Sequence, residues 1–127
     1  MFPILCQLFP VFYLRFFGTY NAGFAYNRKA VTMYYTTVGE GRDILFLHGW
    51  GCDGSVFLPV ANRLSGYRSI LPDLNGFGKT PPPPCAWDVR NYAEETAEML
   101  RGMGVNKTLV VAHSFGARVA LALAALY

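Results

Sequence analysis

The sequence predicts an α/β fold with a mostly parallel sheet and flanking helices. Short apolar runs alternate along the chain with amphipathic segments, which is the order that a parallel sheet with crossover helices requires. The run at 44–47 is continuously apolar, as in a strand that is buried on both faces, and the run at 108–112 is typical of a short apolar strand. Each of these runs leads directly into a turn that contains glycine, so we expect functional loops at the carboxyl ends of the strands.

Composition allows one domain and argues against several classes of partner. With 127 residues, 53% of them hydrophobic, the chain can fill a single core. Its formal charge of +3 arises from basic and acidic residues that are scattered along the sequence, so we predict no nucleic-acid partner. Cys6, Cys52 and Cys85 form no C-x-x-C pair, and neither His48 nor His113 lies at a metal-ligand spacing, so we predict no metal and no cofactor. Reduced thiols favour a cytoplasmic location.

We do not expect the apolar N-terminal run to form a membrane span. Pro3 and Pro10 interrupt it. Arg15 ends it well before it reaches the roughly 20 apolar residues that a span needs. A secretory signal would need a basic segment before the apolar stretch, and only Gly23-x-Ala25 offers a cleavage site. An atypical secretory signal is therefore the less favoured alternative to a cytoplasmic protein.

We expect residues 1–32 to form an apolar extension outside the folded domain and residues 33–127 to form the domain. The segment 33–41 is β-branched and aromatic and ends in a Gly-Glu-Gly turn, which predicts a hairpin with the strand at 44–47. We hypothesise that Met33 is the natural start of the protein.

The next segments predict a helix, a strand and a long loop. Asp53 or Ser55 can cap a helix that ends near Gly66, with an inner face formed by Val56, Val60 and Leu64. A short strand follows at 67–71. Beyond its carboxyl end, residues 73–84 form a loop rich in glycine and proline.

A second amphipathic helix and a last strand complete the alternation. Asp88 caps this helix, whose predicted inner face consists of Val89, Tyr92, Ala93, Thr96, Met99, Leu100 and Met103. The strand at 108–112 then leads through Ser114 into an Ala-rich helix.

Ser114 is the candidate nucleophile. Residues 112–116, Ala-His-Ser-Phe-Gly, fit the small-x-Ser-x-small pattern of a nucleophile elbow, in which a tight strand-to-helix turn exposes the serine hydroxyl above the sheet. A serine that attacks an acyl carbon also needs an oxyanion hole. We predict that the backbone N–H groups of Phe115, just after the serine, and of Trp50, in the turn after the strand at 44–47, provide it.

Three segments resemble the successive signatures of the α/β-hydrolase superfamily: His48-Gly49-Trp50-Gly51, Asp73-Leu-Asn-Gly-Phe-Gly-Lys79 and Ala112-His113-Ser114-Phe115-Gly116. The resemblance covers residues 33–127. It implies a serine nucleophile after the fifth strand and hydrolysis of a small-molecule carboxylic ester or related acyl compound. It also implies that motif-shaping roles, rather than reacting ones, belong to His48, Gly49, Gly51, Ala112, His113 and Gly116.

The chain departs from the pattern of this superfamily at three positions. Ala112 replaces the commoner glycine before the serine, Ala117 replaces a second glycine after it, and Asn75 stands where many relatives carry proline. Alanine is small enough for the elbow. Relatives that dehalogenate or open epoxides carry aspartate at the position of Ser114, so the resemblance argues against both reactions.

The catalytic acid and histidine of the family pattern do not follow Ser114. The family order is serine, then Asp or Glu, then histidine, whereas residues 115–127 contain none of these. We therefore interpret the chain as the N-terminal half of an α/β-hydrolase domain and expect it to be nearly inactive alone. Neither His48 nor His113 is a favoured base, and Asp73 is expected to bond the backbone of its own loop.

If the domain is incomplete, the strand at 108–112 lacks neighbours in the sheet. In the family topology other strands lie beside it, so without them it would be an exposed apolar edge that promotes self-association. The alternative to an enzyme is a non-catalytic scaffold, or a half-domain that pairs with another polypeptide.

Overall fold

The computed structural model describes residues 33–127 and, by its backbone, the strand at 11–15. The strands are β1 (Val11–Arg15), β2 (Tyr35–Val38), β3 (Arg42–Leu47), β4 (Tyr67–Pro72) and β5 (Lys107–Ala112). They form one sheet in the order β1-β5-β3-β4-β2. The central strands β5, β3 and β4 are parallel, while β1 and β2 run antiparallel at the two edges. The predicted mostly parallel sheet is confirmed.

Helices cover both faces of the sheet. One face carries a 3-10 turn (Gly54–Phe57) that runs into α1 (Leu58–Ala61), and the other carries α2 (Val89–Gly102) and α3 (Phe115–Leu126). Alternate residues of β3 serve the two layers, because successive side chains of a strand point to opposite faces. Leu45 and Leu47 pack toward α2 and α3, whereas Ile44 and Phe46 pack toward the 3-10 turn and α1.

The register of β3 and β5 places their ends side by side. Leu47, the last residue of β3, lies opposite Ala112, the last residue of β5. Both residues are completely buried. The two turns that follow, which begin at His48 and His113, therefore leave the sheet at the same edge.

The predicted hairpin between β2 and β3 is wrong, because β2 pairs with β4. The turn between β2 and β3 crosses the start of β4 at very short range. A Cβ atom on Gly39 would lie 2.5 Å from the carbonyl oxygen of Tyr67, and one on Gly41 would lie 2.3 Å from that of Gly66. Two glycines therefore permit a crossing that the sequence pattern could not distinguish from a hairpin.

Two of the three residues predicted for the inner face of the first helix are wrong, while Leu64 packs against the core. Val56 and Val60 are each 50% exposed, whereas Phe57 and Ala61 are buried. The two pairs have the same four-residue spacing, so the spacing alone did not decide between them. The larger Phe57 ring packs at 5.1 Å from Phe46 and sets the buried side. The predicted cap is present, since the Asp53 carboxylate accepts a hydrogen bond from the Ser55 N–H at 2.8 Å.

The second helix follows the prediction closely. Asp88 accepts from the N–H groups of Arg90 and Asn91, and the Asn91 side chain accepts from the Asp88 N–H, which forms a complete capping box. The buried residues of α2 are Tyr92, Ala93, Thr96, Ala97 and Leu100. Among the described helices of residues 33–127, none has the length and apolar character needed to cross a membrane.

Part of the N-terminal extension belongs to the sheet. β1 lies antiparallel to β5, with Val11 opposite Val111 and Arg15 opposite Lys107. For residues 11–15 the structure therefore corrects our expectation that the extension lies outside the fold and that β5 is an exposed edge. Residues 1–10 and 16–32 lie outside the described residues, so a domain boundary at Met33 stays a prediction.

Candidate active site

Ser114 lies in the turn between β5 and α3 with a strained backbone. Its φ is 52° and its ψ is −113°, and among the described residues it is the only one other than glycine with positive φ. Such a conformation costs about 1–3 kcal/mol and persists only where the surrounding structure imposes it. The serine is exposed, so the turn presents its side chain at the edge of the sheet where β3 and β5 end.

Close packing against β3 imposes this turn. A Cβ atom on Gly116 would lie 2.2 Å from the carbonyl oxygen of Leu47, so only glycine fits there. The His113 N–H donates to the same oxygen at 3.0 Å. Ala112 is completely buried, in agreement with a small residue before the turn. The first turn of α3 is thus pressed onto the end of β3.

The turn after β3 reaches the serine through Gly49. A Cβ atom on Gly49 would lie 3.4 Å from the Ser114 Cβ and 2.9 Å from the His113 Nδ1. The turn is closed by a hydrogen bond from the Cys52 N–H to the Gly49 carbonyl at 3.2 Å, and Gly51 supplies the positive φ of 74° that it needs. Trp50 therefore follows a glycine whose backbone packs against His113 and Ser114.

The two residues expected to supply the oxyanion donors contact each other through their rings. The centroids of Trp50 and Phe115 are 5.2 Å apart with the planes at 90°. Phe115 also packs edge to face on Tyr92 of α2 at 5.0 Å. Trp50 remains 68% exposed although its indole contacts Phe115. An exposed aromatic surface thus lies beside Ser114.

His48 is committed to shaping its loop. The residue is completely buried, and its Nε2 accepts a hydrogen bond from the Leu74 N–H at 2.9 Å. The ring proton therefore resides on Nδ1, which donates to the Gly49 carbonyl at 2.8 Å. Burial lowers the pKa of His48 below its ordinary value of 6.5, and this effect outweighs the hydrogen bond to Gly49 and the charges of Asp73 and Asp53. Both ring nitrogens are occupied, which agrees with the predicted structural role.

Asp73 also acts on backbone groups, as predicted. One carboxylate oxygen accepts from the Gly54 N–H and the other from the Lys79 N–H, both at 2.8 Å. A Cβ atom on Gly78 would lie 2.2 Å from this carboxylate, so the loop must carry glycine there. Asp73 thereby ties the loop after β4 to the segment after β3.

Sequence reasoning missed Phe77, which it treated only as part of a Gly-rich turn. Its ring lies 5.0 Å from that of Trp50 and 5.6 Å from that of His48, edge to face in both cases. The available signal was an aromatic residue between two glycines at the carboxyl end of a strand adjacent to β3. Asn75 was noted only as a departure. Its side-chain amide is completely buried and has no hydrogen-bond partner within the described residues.

No group of three His, Cys, Asp or Glu side chains in the described part of the chain is arranged to hold a metal ion. The described groups at the edge of β3 and β5 include one exposed serine, backbone N–H groups, aromatic rings and the imidazoles of His48 and His113.

Comparison with known proteins agrees with this architecture. Residues 44–127 match the family described as alpha/beta hydrolase fold. The chain is 30% identical over 91 residues to the non-heme chloroperoxidase CPO-A1 of Kitasatospora aureofaciens, covering 70% of this chain and 33% of that protein. It is 32% identical over 98 residues to epoxide hydrolase 2 of Siraitia grosvenorii, covering 72% and 30%.

A solved structure shows the same fold. An esterase from Exiguobacterium antarcticum superimposes with a TM-score of 0.71 at 28% identity, over 75% of this chain and 36% of that one. The chain spans about a third of the length of the curated relatives it matches. Because the family model matches more than half of its residues, the chain belongs to the α/β-hydrolase family.

Proposed function

We propose that Ser114 is the nucleophile of an acyl transfer that hydrolyses a small-molecule carboxylic ester. In this reaction the Ser114 Oγ attacks the carbonyl carbon, its proton passes to a general base, and the resulting oxyanion accepts hydrogen bonds from the N–H groups of Trp50 and Phe115. The leaving alcohol departs with a proton, and water releases the acid from the acyl-enzyme. Each donor of an oxyanion hole is worth about 3 kcal/mol in comparable serine enzymes.

The observation that carries the proposal is the strained and exposed conformation of Ser114. A non-glycine residue is held at φ 52° by close backbone packing at Gly116, at the N-terminus of a twelve-residue helix. The esterase likeness supports ester hydrolysis, whereas the epoxide hydrolase relative would support ring opening. A serine at this position favours the ester.

We further propose that the 127-residue chain by itself turns over esters negligibly. His48 has both ring nitrogens in use, and residues 115–127 contain no acidic residue and no histidine. Without a base and its orienting acid, only the residual acceleration from binding and the oxyanion hole remains. Robust turnover of p-nitrophenyl acetate that disappears in Ser114→Ala would contradict this statement.

A cysteine substitution tests the site without needing a base. In Ser114→Cys the introduced thiol ionises by itself at pH 9, since an ordinary cysteine has a pKa of about 8.5. Its thiolate attacks p-nitrophenyl acetate, releases p-nitrophenolate and keeps the acetyl group as a thioester. We expect the introduced thiol to be acetylated at least about 10-fold faster per thiolate than a solvent-exposed thiol, because one oxyanion donor alone is worth more than this.

The chain contains its own reference for this measurement. Cys85 is an exposed free cysteine in the Pro-rich loop, so it reports the reactivity of a thiol without an oxyanion hole. Peptide mass spectrometry gives the acetylation rate at each cysteine of the same sample, and a pH series gives the thiolate fraction. Equal rates per thiolate at the introduced thiol and at Cys85 would refute the proposed oxyanion site.

A non-catalytic half-domain that pairs with another polypeptide is the second candidate. The observation that favours it is the apolar surface that α3 leaves uncovered, since Leu121 is 57% exposed and Leu126 is 45% exposed. Exposed apolar surface is common where a protein binds another protein. If the introduced thiol shows no enhanced reactivity while the 127-residue chain is folded and monodisperse, this candidate is preferred.

A further inference from the structure

Two hydrogen bonds fix the ends of the segment that contains Trp50. At its start the Leu74 N–H donates to the His48 Nε2 at 2.9 Å, and at its end the Gly54 N–H donates to the Asp73 carboxylate at 2.8 Å. Both bonds are buried, and in both the partner belongs to the loop after β4. The segment 48–54 is therefore anchored at each end to that loop.

Trp50, in the middle of the segment, is supported by contacts between aromatic rings. Trp50 lies in a tight turn with a glycine at φ 74° on its carboxyl side, and the residue is 68% exposed. Within residues 33–127, the aromatic rings that contact the indole are those of Phe77 at 5.0 Å and Phe115 at 5.2 Å. Phe77 also contacts His48, the first residue of the segment.

We propose that Phe77 is a positioning residue that sets the Trp50 N–H of the oxyanion hole. This inference rests on the function proposed above for Ser114. Phe77 gives no reacting group, but its ring packs against the residue before Gly49 and the residue after it. An oxyanion donor must lie about 2.7–3.1 Å from the oxyanion, so loss of the ring would displace the donor enough to weaken that bond.

The other donor has a second support that does not involve Phe77. Phe115 opens α3 and its ring packs on Tyr92 of α2 at 5.0 Å. Loss of Phe77 should therefore impair one donor and leave the nucleophile and the second donor in place. Misplacement by about 1 Å can cost up to 10²-fold in rate, and we expect a fall of about 10-fold or more.

The test measures acetylation of the introduced thiol by p-nitrophenyl acetate in the full chain carrying Ser114→Cys. Adding Phe77→Ala should lower the rate constant at saturating ester, with little change in the ester concentration that gives half the maximal rate. The pH midpoint of the introduced thiol and the rate at Cys85 should stay the same. Phe77→Tyr, which keeps the ring, should restore the parent rate.

Tyr34→Ala is the matched control. Tyr34 is also an aromatic residue that packs on the loop after β4, where its hydroxyl meets the Lys79 Nζ at 3.1 Å, but it lies outside the ring contacts of Trp50 described above. It should leave the acetylation rate of the introduced thiol unchanged. A slow Tyr34→Ala would show that any loosening of this loop suffices, and would overturn the specific role of Phe77.

Phe77 packs partly against the hydrophobic core, so Phe77→Leu provides a variant that keeps apolar bulk. If Phe77→Ala fails to fold, Phe77→Leu decides: a reduced rate supports the proposal and the parent rate overturns it. Failure of the underlying function has a different signature, since the introduced thiol would then react no faster than Cys85 before Phe77 is changed. A fast introduced thiol that is insensitive to Phe77→Ala overturns the positioning role alone.

Discussion

The indole of Trp50 meets the phenyl ring of Phe115 edge to face, with the centroids 5.2 Å apart and the planes at 90°. One ring belongs to the turn after β3 and the other to the start of α3. The backbone N–H groups of these same residues are the proposed oxyanion donors. The side-chain contact therefore links the positions of two groups that must act on one oxygen atom.

This contact predicts that Trp50 and Phe115 do not act independently. In the Ser114→Cys chain, Trp50→Ala and Phe115→Ala should each slow acetylation of the introduced thiol by about 10-fold, because each loses the ring that holds the shared geometry. In the double variant the fold-decrease in rate should be smaller than the product of the two single fold-decreases. The difference should be the factor that corresponds to an aromatic coupling of about 0.5–1.5 kcal/mol.

The control for this cycle pairs Trp50→Ala with Val60→Ala. Val60 is half exposed on α1 and belongs to neither motif, so its effect should multiply with that of Trp50→Ala. A double variant whose fold-decrease in rate equals the product of the Trp50→Ala and Phe115→Ala fold-decreases would contradict a shared geometry.

The strain at Ser114 predicts that the serine is kept at a cost in stability. Ser114→Gly should raise the free energy of unfolding by about 1 kcal/mol, because glycine adopts φ 52° without the steric penalty that a Cβ atom imposes. Ser114→Ala keeps the Cβ atom and should leave stability nearly unchanged. Urea denaturation monitored by circular dichroism compares the two variants. Equal stabilities would mean that the turn stores no strain.

The contact between Gly116 and Leu47 predicts a large penalty for one added methyl group. Gly116→Ala should destabilise the chain by about 3 kcal/mol, because its Cβ would meet backbone oxygens at 2.2 and 2.6 Å and backbone cannot move aside as a side chain can. Gly102→Ala is the control, since Gly102 ends α2 with nothing within 4 Å of its Cβ position. That variant should be neutral or up to about 1 kcal/mol more stable in the same urea titration. Comparable losses in both variants would refute the packing argument.

The sequence predicted those parts of the fold that local chemistry decides. The buried strand β3, the helix cap at Asp88 and the strained turn at Ser114 each follow from residue types within a few positions, and each is present. The roles of His48 and Asp73 as backbone-binding groups were also predictable, because both lie in loops rich in glycine, whose backbone N–H and C=O groups need partners.

The remaining features depend on contacts between distant segments. β2 skips β3 and pairs with β4 only because Gly39 and Gly41 can pass the backbone of Gly66 and Tyr67, which no periodicity encodes. The choice of Phe57 over Val56 as the buried residue depended on Phe46 in another element. Likewise, the proposed role of Phe77 depends on its contact with the ring of Trp50, which lies in another loop.

Burial of His48 predicts that stability falls below neutral pH. In the unfolded chain the imidazole takes up a proton near its ordinary pKa of 6.5, whereas in the folded chain burial lowers this pKa, and a proton on Nε2 would oppose the Leu74 N–H. Between the two pKa values the unfolded state binds more protons than the folded state. The free energy of unfolding therefore has its highest value above pH 6.5 and decreases as the pH falls, by at most about 1.4 kcal/mol per pH unit.

Urea midpoints between pH 7.5 and 5 measure this slope, and His48→Gln removes the titrating group while it keeps one donor and one acceptor. The variant should be less stable at pH 7.5 but should lose less stability on acidification, with His113 present in both chains. Asp53 does not interfere, since its pKa is lowered below 3.8 by hydrogen bonds from Ser55. The same slope with and without His48 would show that the buried imidazole is not the group that responds.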